Sequence, residues 1–212
     1  MIFDDRYQAG ELLAKKLSKL RLDHQKTVIF AIPRGGIIVG DAISQLLKIP
    51  LTCIVIKKLG APTNSELAIG ATAAFGKPVL DRWLINDLGV TSSFLKSEVA
   101  KRRKEAQLRE KFLGCKISAT QFNNKNIIVC DDGLATGQTA RAAVRIIKTF
   151  SPKKVILAVP CGSPSVVGLM KEEYDKVICL IERVDFWAVG QFYNDFRPVT
   201  DEEVKEILNG KL

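Results

Sequence analysis

The sequence is poor in the residues that build zinc sites and catalytic triads. Its 212 residues include one histidine, His24, and five cysteines without a Cys-x-x-Cys pair. This is too few nitrogen and sulfur ligands for a zinc site, which needs about four. A Ser-His-Asp triad would depend on His24, which lies in a polar stretch before the first predicted strand, so we do not expect one. An odd number of widely spaced cysteines argues against a disulfide framework, and we expect buried thiols at Cys53, Cys130 and Cys179.

Long apolar runs are also missing. No run approaches the roughly 20 residues that a membrane-spanning helix needs, and residues 1–6 lack the apolar core of a signal peptide. We therefore predict a cytoplasmic protein with no membrane partner. A hydrophobic content of 47% and a charged content of 26% are typical of globular proteins. Without a long linker or an internal repeat, the sequence predicts a single domain over residues 1–212.

The net charge of +9 leaves several kinds of partner open. A basic protein can bind a small polyanionic substrate or nucleic acid. Alternatively, the charge belongs to a solvated surface with no specific partner. Nucleic acid is disfavoured because the sequence contains no helix-turn-helix or other nucleic-acid-binding module.

The stretch 127–139 organises the rest of the chain. Four apolar residues run directly into Asp131 and Asp132, and a loop rich in glycine and threonine then leads into a helical pattern. We interpret the stretch as a buried strand, a tight loop and a helix N-terminus, whose free N–H groups and dipole form an anion site. Ionised carboxylates only accept hydrogen bonds, so the two aspartates favour sugar hydroxyls on the same ligand as a phosphate.

A second strand, glycine loop and helix follow the same plan near the N-terminus. Gly35 and Gly36 expose backbone N–H groups, and Arg34 adds guanidinium donors that suit phosphate oxygens. Lys57 and Lys58 come at the end of the next predicted strand, on the side of a parallel sheet where ligands bind. A tight turn with a solvated arginine and a solvent-facing lysine pair remain the alternative interpretations.

These motifs resemble the signature of the type I phosphoribosyltransferases, which bind 5-phosphoribosyl-1-pyrophosphate (PRPP). Two acidic residues and a T-G-x-T loop follow a hydrophobic strand, and the matching positions are Asp131, Asp132, Thr136, Gly137 and Thr139. The run 57–71 is similar to a little-characterised microbial branch of this family.

The resemblance implies a role for each group of residues. Asp131 and Asp132 would bind the ribose of PRPP. The 5'-phosphate would bind to Gly133, Ala135, Thr136, Gly137, Gln138 and Thr139. The pyrophosphate would bind to Arg34, Gly35, Gly36, Lys57 and Lys58. A hood after the last strand covers the base in family members, which makes Phe186 and Trp187 candidates for stacking on it, although a packed C-terminal clasp or a dimer surface also fits these aromatics.

The alternation of strand and helix patterns predicts an α/β fold with a mostly parallel sheet and helices on both faces. The resemblance adds a Rossmann-like core of about five strands, a small hood and a flap. The predicted core strands lie at 27–32, 51–56, 127–130, 154–159 and 176–181, each containing a continuous apolar run. Within the single domain, we expect a core over 27–182, a helical insertion over 81–114 and a C-terminal hood or clasp over 183–212.

The implied reaction transfers a phosphoribosyl group from PRPP to a nitrogenous base, a nucleobase by this interpretation, and releases pyrophosphate. Mg²⁺ would bind through the substrate and have no direct protein ligand. The sequence names neither the acceptor base nor a general acid or base, and homodimers are common in the family. Two alternatives stay open: a non-catalytic regulator that senses PRPP or a nucleotide and binds nucleic acid, and an enzyme that hydrolyses or phosphorolyses nucleotides.

Residues 93–113 predict a long helix that is dense in charge and has a narrow apolar stripe. We expect such a helix to pack loosely. It either docks on bound PRPP as a basic lid or is a solvated helix with ion pairs one turn apart.

Overall fold

A five-stranded parallel sheet forms the centre of the computed structural model, which describes residues 2–115 and 122–210. From one edge to the other, its strands are β2 (Leu51–Cys53), β1 (Thr27–Ala31), β6 (Asn126–Cys130), β7 (Lys154–Gly162) and β8 (Lys176–Glu182). The central strands read as continuous apolar runs because helices cover both faces of the sheet. The predicted α/β fold with about five parallel strands is confirmed. The strand predicted over 51–56 begins at the predicted residue but is shorter, since pairing with β1 begins at Leu51 and ends at Cys53.

Five helices cover the two faces of this sheet. They are α1 (Arg6–Leu17), α2 (Gly35–Leu47), α5 (Gln138–Lys148), α6 (Pro164–Glu173) and α7 (Asp201–Asn209). Alternation along the strands divides the core: Ile29 and Ile128 pack with α1, α2 and α7, whereas Phe30 and Val129 pack with α5 and α6. Capping residues set the predicted helix starts, since the Ser163 hydroxyl caps α6 ahead of Pro164.

A second, antiparallel sheet follows the second core strand. It consists of β3 (Lys57–Gly60), β4 (Ala68–Thr72) and β5 (Val79–Leu80), and it leads into α3 (Arg82–Asp87) and α4 (Ser92–Leu113). Leu59 and Ile69 are fully buried between this sheet and side chains of α3 and α4. Helix α4 is capped by Thr91 and ends before Gly114, as the sequence predicts. In the parts of the chain that the structure describes, no helix is long and apolar enough to cross a membrane.

Two cysteines are bonded, and the expectation that the chain has no disulfide is wrong. Cys53 at the end of β2 is linked to Cys115, just beyond α4, with their Cα atoms 5.7 Å apart. The fold brings together residues 62 positions apart in sequence, which the cysteine spacing alone does not reveal. Cys130 is a free buried thiol as predicted, and Cys179 is free but only partly buried.

Candidate functional site

A cavity of about 600 Å³ opens at the carboxyl ends of the central strands. The loops after β1, β2 and β6 contribute to it, together with the first residue of α1 and a segment just before α7. Its lining residues are Arg6, Ile32, Pro33, Arg34, Gly35, Val55, Ile56, Lys57, Arg109, Asp131, Asp132, Thr139, Pro198 and Val199. Open α/β sheets bind their ligands at this edge, and motifs far apart in sequence meet there.

The acidic pair follows β6 directly and lies at the centre of the lining. Asp131 Oδ1 accepts a hydrogen bond from the Asp132 backbone N–H at 2.9 Å. Burial, followed by the charge of neighbouring Asp132, raises the pKa of Asp131 well above its usual value, and the charge of Arg6 lowers it. The pair therefore retains a proton more readily than two separate exposed carboxyls would.

Asp132 is held in place by two residues, Arg6 and Tyr193. Arg6 Nε donates to its Oδ2 at 2.8 Å, and both side chains are largely buried. The hydroxyl of Tyr193 donates to the Asp132 carbonyl at 2.6 Å. Arg6 also donates to the carbonyl of Arg197 at 3.0 Å and lies 3.9 Å above the ring of Phe196. The N-terminal helix and the C-terminal segment thus fix one carboxylate oxygen and the backbone carbonyl of Asp132.

Two helix N-termini approach the acidic pair. Helix α2 begins at Gly35, where a Cβ would overlap the Asp132 carboxylate, so glycine permits this close contact. Helix α5 begins after Gly137, whose φ of +70° favours glycine. The loop between Asp132 and α5 is anchored by Leu134, whose N–H donates to the Cys161 carbonyl at 2.8 Å. Both N-termini carry free N–H groups that suit anions.

The two lysines predicted for pyrophosphate are separated. Lys57 lines the main cavity, and its Nζ lies 4.0 Å from Glu105 Oε2. Lys58 lines a second cavity of about 570 Å³, which also contains Gln138, and donates to the backbone carbonyl and side chain of Glu66. Consecutive residues of a strand point to opposite faces, which separates this pair.

The predicted stacking residues lie outside the main cavity lining. Trp187 is 90% exposed, and Phe186 stacks on Phe192 with ring centroids 5.2 Å apart. The segment that carries them reaches the acidic loop, because Val189 packs directly against Gly133. Phe192 belongs to a cluster of side chains that joins the two ends of the chain. Trp187 lies outside this cluster and is the most exposed aromatic ring of the segment.

Other predicted phosphate residues have simpler placements. Thr139 borders both cavities, and the Thr136 hydroxyl accepts weakly from the Gln138 N–H at 3.5 Å. Ala135 and Gln138 are exposed, whereas Gly36 packs against the Cys130 carbonyl.

Arg6 and Arg109 line the cavity but were not predicted as site residues. Arg6 lies on the first predicted helix, and nothing in its neighbourhood resembles a binding motif. Arg109 is one of several cations on α4, so the sequence could place it on a basic helix without indicating which cation faces the cavity. Arg6 contacts Asp132 and Arg109 contacts Asp201, and both contacts join residues that are distant in sequence.

Comparisons with known proteins identify the family of the chain. The family model described as "Phosphoribosyl transferase domain" matches residues 2–197. Two sequences from different strains of Mycobacterium tuberculosis, both named "Putative phosphoribosyl transferase", are 33% identical over 208 residues. The match covers 98% of this chain but 46% of theirs, so the chain spans about half the length of these relatives.

Solved structures share the whole architecture. The protein TT1426 from Thermus thermophilus is 35% identical with a TM-score of 0.86, and the match covers 100% of this chain and 99% of that one. A Neisseria gonorrhoeae protein crystallised with bound ppGpp is 16% identical with a TM-score of 0.51, covering 99% of this chain and 94% of that one. At that identity, the second likeness concerns the fold alone.

Proposed function

This chain belongs to the phosphoribosyl transferase domain family, and from that premise we propose that it transfers a phosphoribosyl group from PRPP to a nitrogenous base. The proposal rests on one observation above all. Asp131 and Asp132 share a cavity with Arg34, with Lys57 and with the N-terminus of α2, and the N-terminus of α5 adjoins it. A ligand that carries a ribose between two phosphate groups matches this arrangement of acceptors between donors.

The 5'-phosphate is assigned to the loop that ends at the N-terminus of α5. Its residues Gly133–Thr139 offer backbone N–H groups, and Thr136 and Thr139 add hydroxyl donors. The ribose hydroxyls would then donate to the carboxylates of Asp131 and Asp132. Binding of hydroxyl donors favours the ionised form of the acidic pair, which opposes the raised pKa of Asp131.

The pyrophosphate is assigned to the opposite end of the cavity, at Arg34, Lys57 and the start of α2. In the proposed reaction, the bond between ribose C1 and pyrophosphate oxygen breaks, and a bond between C1 and a ring nitrogen forms. The nitrogen loses its proton to water or to the departing pyrophosphate, and pyrophosphate leaves with the electron pair of the broken bond. Positive charge develops on the ribose, where the acidic pair stabilises it, while the cations stabilise the leaving group.

Mg²⁺ belongs to the proposal as a partner of the substrate. The described residues contain no group of three or more His, Cys, Asp or Glu side chains that could hold a metal ion. Mg²⁺ prefers oxygen ligands and keeps several waters, so PRPP oxygens and water suit it, with Asp131 and Asp132 lining the same cavity. When bound, the ion would neutralise charge on the pyrophosphate.

The acceptor is a nucleobase in this proposal, which gives the protein a role in nucleotide metabolism. The segment with Phe186 and Trp187 reaches the acidic loop through the contact of Val189 with Gly133. A planar base between this segment and the ribose could stack on Trp187. Phe186 already stacks on Phe192, which makes it the weaker of the two candidates.

The test is PRPP-dependent release of pyrophosphate in the presence of a panel of purines, pyrimidines and other ring-nitrogen compounds. We expect release with at least one of them, and none from a variant carrying Asp131→Asn and Asp132→Asn. Release at the same rate without any base would indicate hydrolysis instead of transfer, and no release with any base would contradict the proposed activity.

A further inference from the structure

Helix α4 is tied to the strand segment that forms one wall of the main cavity. Three alternate positions along β2 and the extended segment that follows it are each bound to α4 or its end. Cys53 is bonded to Cys115, the Val55 N–H donates to Glu110 Oε1 at 3.2 Å, and Lys57 pairs with Glu105. The three contacts thus join every second residue of the segment to positions five residues apart on α4 and just beyond its end. The expectation that α4 packs loosely therefore does not match the structure at this end of the helix.

Arg109 lies on the same turns of α4 and lines the main cavity. Its two terminal nitrogens donate to the two carboxylate oxygens of Asp201, which is the first residue of α7. Arg34 approaches the same carboxylate, with its Nη1 3.9 Å from Asp201 Oδ1. A guanidinium carries five N–H donors, so pairing with Asp201 fixes the orientation of Arg109 and still leaves donors for a ligand.

Arg109 therefore stands with Arg34 and Lys57 in one part of the cavity. Arg6, the fourth cation of the lining, is engaged by Asp132 and belongs to the acidic pair. A cluster of three cations suits a ligand with several negative charges, and arginine suits phosphate oxygens in particular. The contact with Asp201 leaves the Arg109 side chain 30% exposed.

We infer that Arg109 is a pyrophosphate-binding residue, supplied by the insertion helix α4 and oriented by Asp201. This inference rests on the proposed function, because it assigns Arg109 to the pyrophosphate end of the same site. In place of a mobile basic lid, the inference describes Arg109 as a fixed hydrogen-bond donor on α4, which is bound to the cavity wall. It also implies that Arg109 contributes to the binding of pyrophosphate and PRPP but not to that of ribose 5-phosphate, which lacks the pyrophosphate.

The experiment measures the affinities of the full chain for inorganic pyrophosphate, PRPP and ribose 5-phosphate by calorimetry in the presence of Mg²⁺. Loss of one charge-assisted contact in Arg109→Gln should weaken pyrophosphate and PRPP binding by about tenfold to a hundredfold. Ribose 5-phosphate binding should stay unchanged. The matched control is Arg103→Gln on the same helix, because Arg103 donates to the Gly76 carbonyl outside the main cavity. It should bind all three ligands like the wild type.

Each outcome separates the inference from the proposed function. Unchanged pyrophosphate binding in Arg109→Gln, or an equal loss for ribose 5-phosphate, would overturn the role of Arg109. Wild-type protein that binds pyrophosphate but not PRPP would count against the proposed function, while a loss in the variant would still support the inference. If Arg109→Gln does not fold, Arg109→Met, which keeps an unbranched side chain but removes the guanidinium, decides by the same comparison.

Discussion

Against the larger raising effects of burial and of neighbouring Asp132, the charge of Arg6 lowers the pKa of Asp131. Its guanidinium is the positive charge next to two adjacent carboxyls, and it is itself buried between the Phe196 ring and the Asp132 side chain. An opposite charge at this distance favours the ionised form of a carboxyl, whereas burial and the second carboxyl oppose it. The N-terminal helix therefore favours the ionised form of Asp131, a proposed ribose-binding residue, although it lies far from it in sequence.

We predict that Arg6→Gln moves the pH range in which PRPP binds. Without the guanidinium, the pKa of the acidic pair rises further, so the carboxylates that accept the ribose hydroxyls form only at higher pH. The acidic limb of the PRPP affinity profile should therefore move to higher pH, as calorimetry across a pH series would record.

Two other substitutions on α1 make this result interpretable. Arg6→Lys, which keeps the charge, should stay close to the wild-type profile, and so should Lys16→Gln on the exposed side of α1. A uniform loss of affinity in Arg6→Gln with no change in the shape of the profile would mean that Arg6 has only a structural role.

Residues of the site differ in how far the sequence predicts them. Asp131, Asp132 and Gly35 stand next to buried strands, so their position at the sheet edge follows from local pattern. The partner of Asp132 is Arg6, 126 residues away, and only the closed fold reveals that pair. Lys57 and Lys58 look equivalent in the sequence, because they are adjacent and carry the same charge. Strand alternation nevertheless points them to different cavities.

At the scale of elements, α4 carries an ionisable group in its buried contact. Glu110 is largely buried, and burial raises the pKa of its carboxyl from the usual 4.5 to about 7, while the hydrogen bond from Val55 lowers it. The folded chain keeps this proton up to about pH 7, whereas the unfolded chain releases it near pH 4.5. Between pH 4.5 and about 7 the folded state thus binds more protons than the unfolded state. The contribution of Glu110 to the free energy of unfolding therefore falls as pH rises through this range and stays constant at higher pH.

We predict that Glu110→Gln removes this pH dependence. At pH 8 the variant should have a higher free energy of unfolding than the wild type, by up to about 3 kcal/mol, and the difference should vanish near pH 4. Urea denaturation at a series of pH values measures both. Glu172→Gln, at an exposed position of α6, is the control and should follow the wild-type curve. A pH-independent difference between Glu110→Gln and the wild type would contradict the account.

The disulfide gives a second prediction at this scale. The bond closes a loop between residues 62 positions apart and restricts the unfolded chain, so reduction or Cys115→Ala should lower the free energy of unfolding by about 2–4 kcal/mol. Denaturant titration with and without a dithiol reductant measures this, and the reductant should have no further effect on Cys115→Ala. Thiol titration of the unreduced, denatured chain should find the free cysteines Cys130, Cys161 and Cys179. Reaction of all the cysteines of the chain would contradict the pairing.

The elements themselves were largely predictable, and their tertiary roles were not. Helix boundaries at Thr91, Gly114 and Ser163 follow from capping chemistry that depends on a few neighbouring residues. The attachment of α4 depends instead on one disulfide, one buried carboxyl and a few ion pairs. None of these changes the helical periodicity, so the thin apolar stripe suggested a looser helix than the structure contains.

At the scale of the whole molecule, the chain ends complete the site. Phe3 pairs with Tyr193, and the clasp they form brings Arg6 and the Tyr193 hydroxyl onto Asp132. The positive net charge is consistent with a ligand that carries phosphates, since three cations, Arg34, Lys57 and Arg109, line the cavity together with the acidic pair. Together these arrangements produce a cavity with two carboxyl groups in its middle, which can accept hydrogen bonds from hydroxyl groups. Cationic side chains that can bind anions lie around them.

Calorimetric titration of the full chain with PRPP and Mg²⁺ is the decisive test of whether this cavity binds PRPP. We expect the wild type to bind one PRPP per chain and the variant with Asp131→Asn and Asp132→Asn to show no measurable binding. Thermal unfolding of the variant checks that it is folded. No binding by the wild type, or equal binding by the two proteins, would contradict the assignment of this cavity to PRPP.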